Sequence, residues 1–242
     1  MATLEQRVRI VADSDPRDPR TDWDCHAGRM ICWNRRYNLG DEHSYDSDDF
    51  LRVLAFEACE GLIDKVWELE HTVYDKLVGR ALDNGNDDPH AYADRLVSKR
   101  VDDYIESTLR DGYVILPLYL YDHSGITMST GQFSCPWDSG QVGYIVCDNE
   151  TIQREFNGDR DKAEKCLEAE VSVYDDYLTG NVFGFIVEER EECDECGHAE
   201  WDEVDSCWGF YGSDVRTNGI TDYLDAKLAD LAVCADIEYP SY

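Results

Sequence analysis

The chain has 242 residues and a formal net charge of −31, because 53 Asp and Glu side chains are balanced by only 22 Lys and Arg. A surface of this sign repels phosphate backbones and anionic lipid head groups, which argues against direct binding to nucleic acid or to a membrane and favours a basic protein as partner. No run of about 18 apolar residues is present, and the N-terminus lacks the apolar region of a signal peptide, so we expect a cytoplasmic protein.

The N-terminal part of the chain predicts two short strands. Residues 7–12 (RVRIVA) alternate between polar and apolar side chains, and residues 29–33 (RMICW) form a second apolar run. Between them, Pro16 and Pro19 indicate an extended loop over the acidic stretch 13–24.

The next part, at about 46–111, is predicted to be a helical insertion. Apolar residues recur at helical spacing from Leu62 to Leu77, behind an Asp-rich stretch that can cap the first helix. A second helix is predicted over about 91–110, and Gly112 closes it.

The remaining residues predict most of a sheet. Residues 113–121 (YVILPLYLY) are an apolar strand, in which Pro117 removes one ladder donor and indicates an edge or a bulge. The later patterns predict a strand at 142–148, a helix at about 160–178, strands at 181–189 and 207–212, and a helix at about 219–234. We therefore expect one α+β domain over residues 1–242, with a mainly antiparallel sheet of about five or six strands flanked by about five helices.

Residues 122–141 (DHSGITMSTGQFSCPWDSGQ) are predicted to be a long loop, and loops of this length inside a compact domain are usually functional. Asp122, His123 and Cys135 are candidate catalytic residues, because a thiol beside an imidazole that a carboxylate orients would be an activated nucleophile. The alternative, which we favour, is a structural role, with Asp and Ser bonding turn amides while Phe133 and Trp137 fill the core.

The clearest metal candidate is a cysteine-containing hairpin excursion at about 190–207. Cys193 and Cys196 have the CxxC spacing of half a zinc knuckle, and His198 and Cys207 complete a tetrahedral ligand set. Because only one CxxC is present, unliganded thiols at a hairpin turn remain an equal alternative to zinc.

Two smaller groups of residues are also candidates. The spacing of Cys25, His26 and Cys32 fits a strand and its approach loop better than a ligand set, so we expect Cys32 to be buried. Arg35 and Arg36 form the adjacent arginine pair that can bind an anion, although we favour neutralisation of nearby acid.

Three segments together resemble an uncharacterised family of accessory proteins in phages, plasmids and other mobile elements. They are WDCHAGRMICWNRRYNLGD at 23–41, LPLYLYDHSGITMSTGQFSCPWDSGQVGYI at 116–145 and VDSCWGFYG at 204–212. The resemblance implies an accessory gene product acting in the cytoplasm of the host cell, and it implies no activity. The helical region at 48–110 and the excursion at 190–207 depart from the family pattern.

The acidity has two explanations. The chain contains 33 Asp, 20 Glu and 16 Arg but only 6 Lys, a composition typical of halophilic proteins, whose self-repulsion is screened by concentrated salt. Alternatively, the carboxylates imitate nucleic-acid phosphates, which are spaced about 1.7 Å apart along a duplex, and occupy the basic groove of a nucleic-acid enzyme.

Three functions remain open. We favour a mobile-element protein that binds and inhibits a host defence or nucleic-acid-handling protein by occupancy and without turnover, for which nucleic-acid mimicry is one possible physical basis. The first alternative is an enzyme with its site in residues 122–141. The second is a zinc-stabilised structural or adaptor protein.

Overall fold

The computed structural model describes residues 4–190 and 199–239. The described residues belong to two compact units. Within these residues, the first unit is built from 4–26, 118–141, 168–190 and 199–239, and the second from 27–117 and 142–167. The chain therefore passes between the units four times.

The strands are, in chain order, β1 (Glu5–Ala12), β2 (Arg29–Cys32), β3 (Tyr113–Asp122), β4 (Ile126–Ser129), β5 (Ser139–Asp148), β6 (Val182–Arg190), β7 (Trp201–Tyr211) and β8 (Ile237–Glu238). The α-helices are α1 (Pro19–Asp22), α2 (Phe50–Ala58), α3 (Leu62–Glu68), α4 (Tyr74–Asp83), α5 (Pro89–Gly112), α6 (Asn149–Phe156), α7 (Arg160–Thr179) and α8 (Ala226–Cys234). A π-helix (Leu69–Val73) joins α3 to α4, and a 3₁₀ helix (Ile220–Tyr223) precedes α8.

One four-stranded sheet belongs to the first unit and has the order β7-β6-β1-β8. β1 pairs antiparallel with β6 and parallel with the short β8, and β6 pairs antiparallel with β7. Alternation along β1 and β6 directs one set of apolar side chains into a common core. The buried members of this core are Val8, Ile10, Ala12, Phe183, Phe185, Val187, Phe210, Val215, Ile220 and Ala232.

The opposite face of the same sheet carries an ion-pair network. Glu188, which is 8% exposed, accepts hydrogen bonds from Arg7 Nε at 2.5 Å and Arg9 Nη1 at 3.5 Å. Arg9 also bonds Glu238 on β8, and this contact lowers the pKa of the Glu238 carboxyl. The network explains how a buried carboxylate is tolerated in so acidic a chain, since burying a charge without a partner is costly.

The second sheet has the order β2-β5-β3-β4. In the second unit, β2 pairs antiparallel with β5, from Arg29 opposite Val146 to Cys32 opposite Gly143. In the first unit, β4 pairs antiparallel with the end of β3, where Asp122 lies opposite Ile126.

The helices predicted at about 46–111 supply most of one hydrophobic cluster of the second unit. Helices α2 to α5 bury an apolar set against β2, β3 and β5, and its buried members are Ile31, Phe50, Leu54, Ala55, Leu62, Val66, Leu69, Val97, Val101, Leu109, Tyr113 and Val146. Asp88 caps α5 by accepting from the amide of Ala91 at 3.0 Å. At α2, Asp49 occupies the N-cap without a side-chain cap bond, so the predicted Asp-rich cap contributes charge near the helix start rather than that bond.

The predicted α+β class is confirmed, but the element counts differ. Instead of one sheet of five or six strands, the described residues form two sheets of four strands. Two of these strands were not predicted: β4 lies within a stretch rich in Gly, Ser and Thr that is typical of a loop, and β8 is only two residues long. The described chain has eight α-helices rather than the predicted five. One reason is that α1 is only one turn long, and another is that the helical segment is interrupted near Gly61, between α2 and α3. The single domain over 1–242 stays a prediction.

Candidate functional site

Residues 122–141 form a hairpin followed by a shorter loop. The turn between β3 and β4 places Ser124 at a φ of 60° and lets the His123 amide donate to the Gly125 carbonyl at 3.0 Å. β4 then occupies Ile126–Ser129, and β5 begins at Ser139. The predicted 20-residue loop is therefore reduced to residues 130–138, because Asp122 ends β3, residues 123–125 form the turn, Ile126–Ser129 form β4 and residues 139–141 begin β5.

The structure brings the predicted His123 and Cys135 together around Asp138. His123 Nδ1 lies 3.3 Å from Asp138 Oδ2, and the Cys135 thiol donates to the same oxygen at 3.7 Å. Asp122 contributes its backbone amide, which donates to the Asp138 carbonyl at 2.8 Å.

This arrangement differs from a nucleophile with its base. In such a pair the thiol faces the imidazole, whereas here the thiol and the imidazole both contact one carboxylate. His123 is also 63% exposed at its side chain, so the site lacks the water exclusion that strengthens catalytic electrostatics. The geometry favours a structural role for the trio, which ties the loop to the hairpin.

A cleft of about 280 Å³ lies beside this loop, between β4 and α7. Asp175 anchors its wall, because one carboxylate oxygen accepts from the Thr127 hydroxyl at 2.7 Å and from the Met128 amide at 2.6 Å. The lining residues are Thr127, Met128, Ser129, Thr130, Phe133, Glu168, Val171, Ser172 and Asp175. Two carboxylates and several hydroxyls make the cleft suited to a cationic or hydroxyl-bearing group rather than to an anion.

The two loop aromatics have different environments. Phe133 is half-buried at the cleft and packs on Tyr121, with ring centroids 5.6 Å apart. Trp137 is 91% exposed, so the prediction that it fills the core is wrong. The turn formed by residues 135–139, where Ser139 Oγ donates to the Cys135 carbonyl at 2.6 Å, carries the indole at its outer side.

Most of the predicted zinc ligands lie outside the described residues. These are Cys193, Cys196 and His198; Cys207 is described, and it is half-buried on β7 opposite Phe185. Within residues 4–190 and 199–239, no group of three His, Cys, Asp or Glu side chains is placed to hold a metal ion. The zinc site at 193–207 stays a prediction.

The cysteine and histidine group near residue 26 has structural roles. Cys32 is buried, as predicted, and Cys25 is exposed. His26 Nε2 bonds the Pro19 carbonyl at 2.8 Å, and its Nδ1 lies 3.9 Å from Glu170 Oε2. Arg35 and Arg36 are exposed, and the Arg36 amide donates to the Asn34 side chain at 2.8 Å.

Sequence reasoning missed a buried ion pair in this region. The Arg20 side chain is 1% exposed and donates to Glu170 Oε2 at 2.9 Å, so it holds α1 against α7. The start of α1 could have been predicted from the sequence, because Asp18 followed by Pro19 marks a helix start. In the structure the Asp18 side chain caps this helix by accepting from the Arg20 amide at 2.8 Å. Nothing local indicated that Arg20 would point inward.

A second electrostatic feature of the first unit is the acidic stretch around Tyr211. The Tyr211 hydroxyl donates to the Arg17 carbonyl, and burial together with Asp13, Asp18 and Asp22 raises the pKa of this phenol to about 12. Burial and three aspartates of the same stretch also raise the pKa of Tyr177. Carboxylates that are far apart in sequence from these two rings therefore act on them as one local negative field.

We expect Tyr211→Phe to reduce the fall in the free energy of unfolding that occurs between pH 10.0 and about 12. Between pH 10.0 and about 12 the folded chain keeps a phenol proton that the unfolded chain releases, so the free energy of unfolding falls as pH rises through this window. Urea unfolding at several pH values in this window should show a smaller fall for Tyr211→Phe than for the wild type. Tyr239→Phe, at a side chain 68% exposed, is the matched control and should keep the wild-type dependence. An equal fall in all three proteins would contradict the assignment.

Comparison of the chain with protein-family models, with curated proteins and with solved structures finds no match. Among the described residues, no helix is both long enough and apolar enough to cross a membrane.

Proposed function

We propose that this chain binds a basic nucleic-acid-handling or defence protein and blocks it by occupancy, without turnover. The observation that carries the proposal is the unequal distribution of charge. Among the described residues, the first unit contains 24 acidic and 7 basic residues, a net charge of −17, whereas the second unit contains 25 and 15, a net charge of −10.

Halophilic adaptation alone does not account for this difference. Adaptation to salt acts on all exposed surface, so two units of similar length should be acidified to a similar extent. The first unit has 111 described residues and the second 117, yet the net charge of the first is −17 and that of the second only −10. The excess supports selection for a binding function in the first unit.

The physical basis of the binding is long-range attraction. A concentrated negative charge accelerates encounter with a basic partner and disfavours acidic ones, and both effects weaken as salt screens the charges. A groove that normally binds a phosphate backbone offers the complementary surface. The resemblance to accessory proteins of mobile elements supports a host defence protein as the target.

Capture experiments with two charge-matched variants test the proposal. The first-unit variant replaces four exposed carboxylates that make no side-chain hydrogen bond or ion pair in the described chain: Asp15→Asn, Asp24→Asn, Asp202→Asn and Asp205→Asn. The second-unit variant makes the same charge change with Glu60→Gln, Glu68→Gln, Asp87→Asn and Asp103→Asn. Each immobilised protein is exposed to a cell extract at about 0.1 M salt, where the Debye length is about 10 Å.

We expect the wild type and the second-unit variant to retain basic proteins that duplex DNA displaces, and the first-unit variant to lose most of them. The decisive readout is displacement by duplex DNA at a lower charge concentration than polyglutamate requires, because any polyanion removes generally adhering basic proteins whereas only nucleic acid fits a nucleic-acid groove. Equal capture by the two variants, retention that excess duplex DNA leaves unchanged, or displacement by polyglutamate at the same charge concentration would overturn the proposal.

A further inference from the structure

Trp137 is the most exposed large apolar side chain of the described residues. Its exposed fraction is 91%, whereas the next most exposed, Tyr223 and Tyr239, reach 68%. A tryptophan side chain has a large apolar area and a single polar N–H. Because this area is exposed to water in the free protein, it can be buried when a partner binds.

The loop that carries Trp137 is held in place by hydrogen bonds on both sides. Before the indole, the Gly131 amide donates to Ser129 Oγ at 3.0 Å and Gln132 Nε2 donates to the Tyr119 hydroxyl at 3.2 Å. After it, the Asp138 carbonyl accepts from the Asp122 amide, and the Asp138 carboxylate contacts His123 and Cys135.

This framework means that binding through Trp137 orders little of the backbone. Pro136 further restricts the chain immediately before the indole. A rigid aromatic side chain that is presented in advance is the kind of residue on which interface binding energy concentrates.

The negative charge of the loop and of its unit favours a cationic group on the partner. Residues 118–141 contain two aspartates and no Lys or Arg, and they belong to the unit whose described residues have a net charge of −17. The face of an indole attracts cations, arginine guanidinium above all, because guanidinium stacks on the ring while its N–H groups reach neighbouring carboxylates.

We infer that Trp137 is the aromatic anchor of the interaction surface and stacks on an arginine of the basic partner. This inference rests on the proposed function and adds to it the residue that contacts the partner and the side chain that it selects. Arginine-bearing surfaces are then preferred over lysine-bearing surfaces of equal charge.

Titration with two defined peptides tests the inference. Labelled deca-arginine and deca-lysine are the probes, and anisotropy is followed at about 0.15 M salt for the wild type, Trp137→Ala, Trp137→Phe and Trp67→Ala. Trp67 is the matched control, because it is 59% exposed in the second unit and stacks on His71 with ring centroids 4.6 Å apart. Circular dichroism and urea unfolding check that each variant folds. We expect all of them to fold, because the Trp137 and Trp67 side chains are exposed.

The wild type should bind deca-arginine about three- to tenfold more tightly than deca-lysine. Trp137→Ala should abolish this preference, Trp137→Phe should keep part of it, and Trp67→Ala should leave it unchanged. An arginine preference that survives Trp137→Ala, or one that Trp67→Ala removes equally, would overturn the inference.

The first-unit variant separates this inference from the proposed function. The first-unit variant should bind deca-arginine and deca-lysine more weakly than the wild type by a similar factor, because it removes charge and leaves the indole in place. If that loss occurs while Trp137→Ala binds as the wild type does, Trp137 does not contact the partner, and the proposed binding through the charge of the first unit is retained. If neither variant weakens binding, both proposals fail.

Discussion

Arg20→Met is expected to lower the free energy of unfolding by about 3–5 kcal/mol, the cost of removing one partner of a buried ion pair. The Arg20 side chain is 1% exposed and Glu170 is 14% exposed, so the substitution leaves a carboxylate away from water without its guanidinium. Methionine keeps much of the aliphatic volume, and the loss therefore reports the guanidinium charge and its hydrogen bonds rather than a cavity. Urea unfolding followed by circular dichroism measures the change.

Two further variants identify the cause of this loss. Arg17→Met, at an exposed arginine three residues earlier, should change stability by less than about 0.5 kcal/mol. Adding Glu170→Leu to Arg20→Met should recover part of the stability, since an apolar pair of similar volume often replaces a buried ion pair without penalty. A stability loss for Arg20→Met as small as that for Arg17→Met would show that Glu170 does not depend on Arg20 and is satisfied by water or by His26, whose Nδ1 lies 3.9 Å from the carboxylate.

Gly143→Ala is expected to cost about 3 kcal/mol, at the upper end of overpacking effects. Gly143 lies opposite Cys32 in the pairing of β5 with β2, and a Cβ at this position would lie 2.0 Å from the Ile31 carbonyl oxygen. Because the obstructing atom belongs to the backbone, no side-chain rotation can relieve the clash, and the two strands must separate locally. Thermal and urea unfolding both measure the effect.

Gly140→Ala is the matched control for this prediction. Gly140 lies on the same strand, and a Cβ there would meet no atom within 4 Å. Its substitution should be neutral or slightly stabilising, because alanine restricts the unfolded chain more than glycine does. Equal effects of the two substitutions would mean that glycine flexibility, and not the close approach of β2, governs stability at Gly143.

The sequence determined properties that follow from composition and from local periodicity. The charge of −31 follows from residue counts, and the apolar spacing from Leu62 to Leu77 predicted the helical part of the second unit. Apolar runs likewise located the strands that include Val8 and Phe185, because burial of one face imposes its period on the chain. The α+β class could therefore be predicted, although the two short strands β4 and β8 could not.

Only the tertiary structure decided which side chains meet. The pairing of Arg20 with Glu170 joins residues 150 positions apart, and Asp138, rather than Asp122, proved to be the carboxylate between His123 and Cys135. The exposure of Trp137 depends in the same way on how its turn closes. These contacts arise because apolar burial and backbone pairing bring distant segments together, and local sequence carries little information about which distant segment arrives.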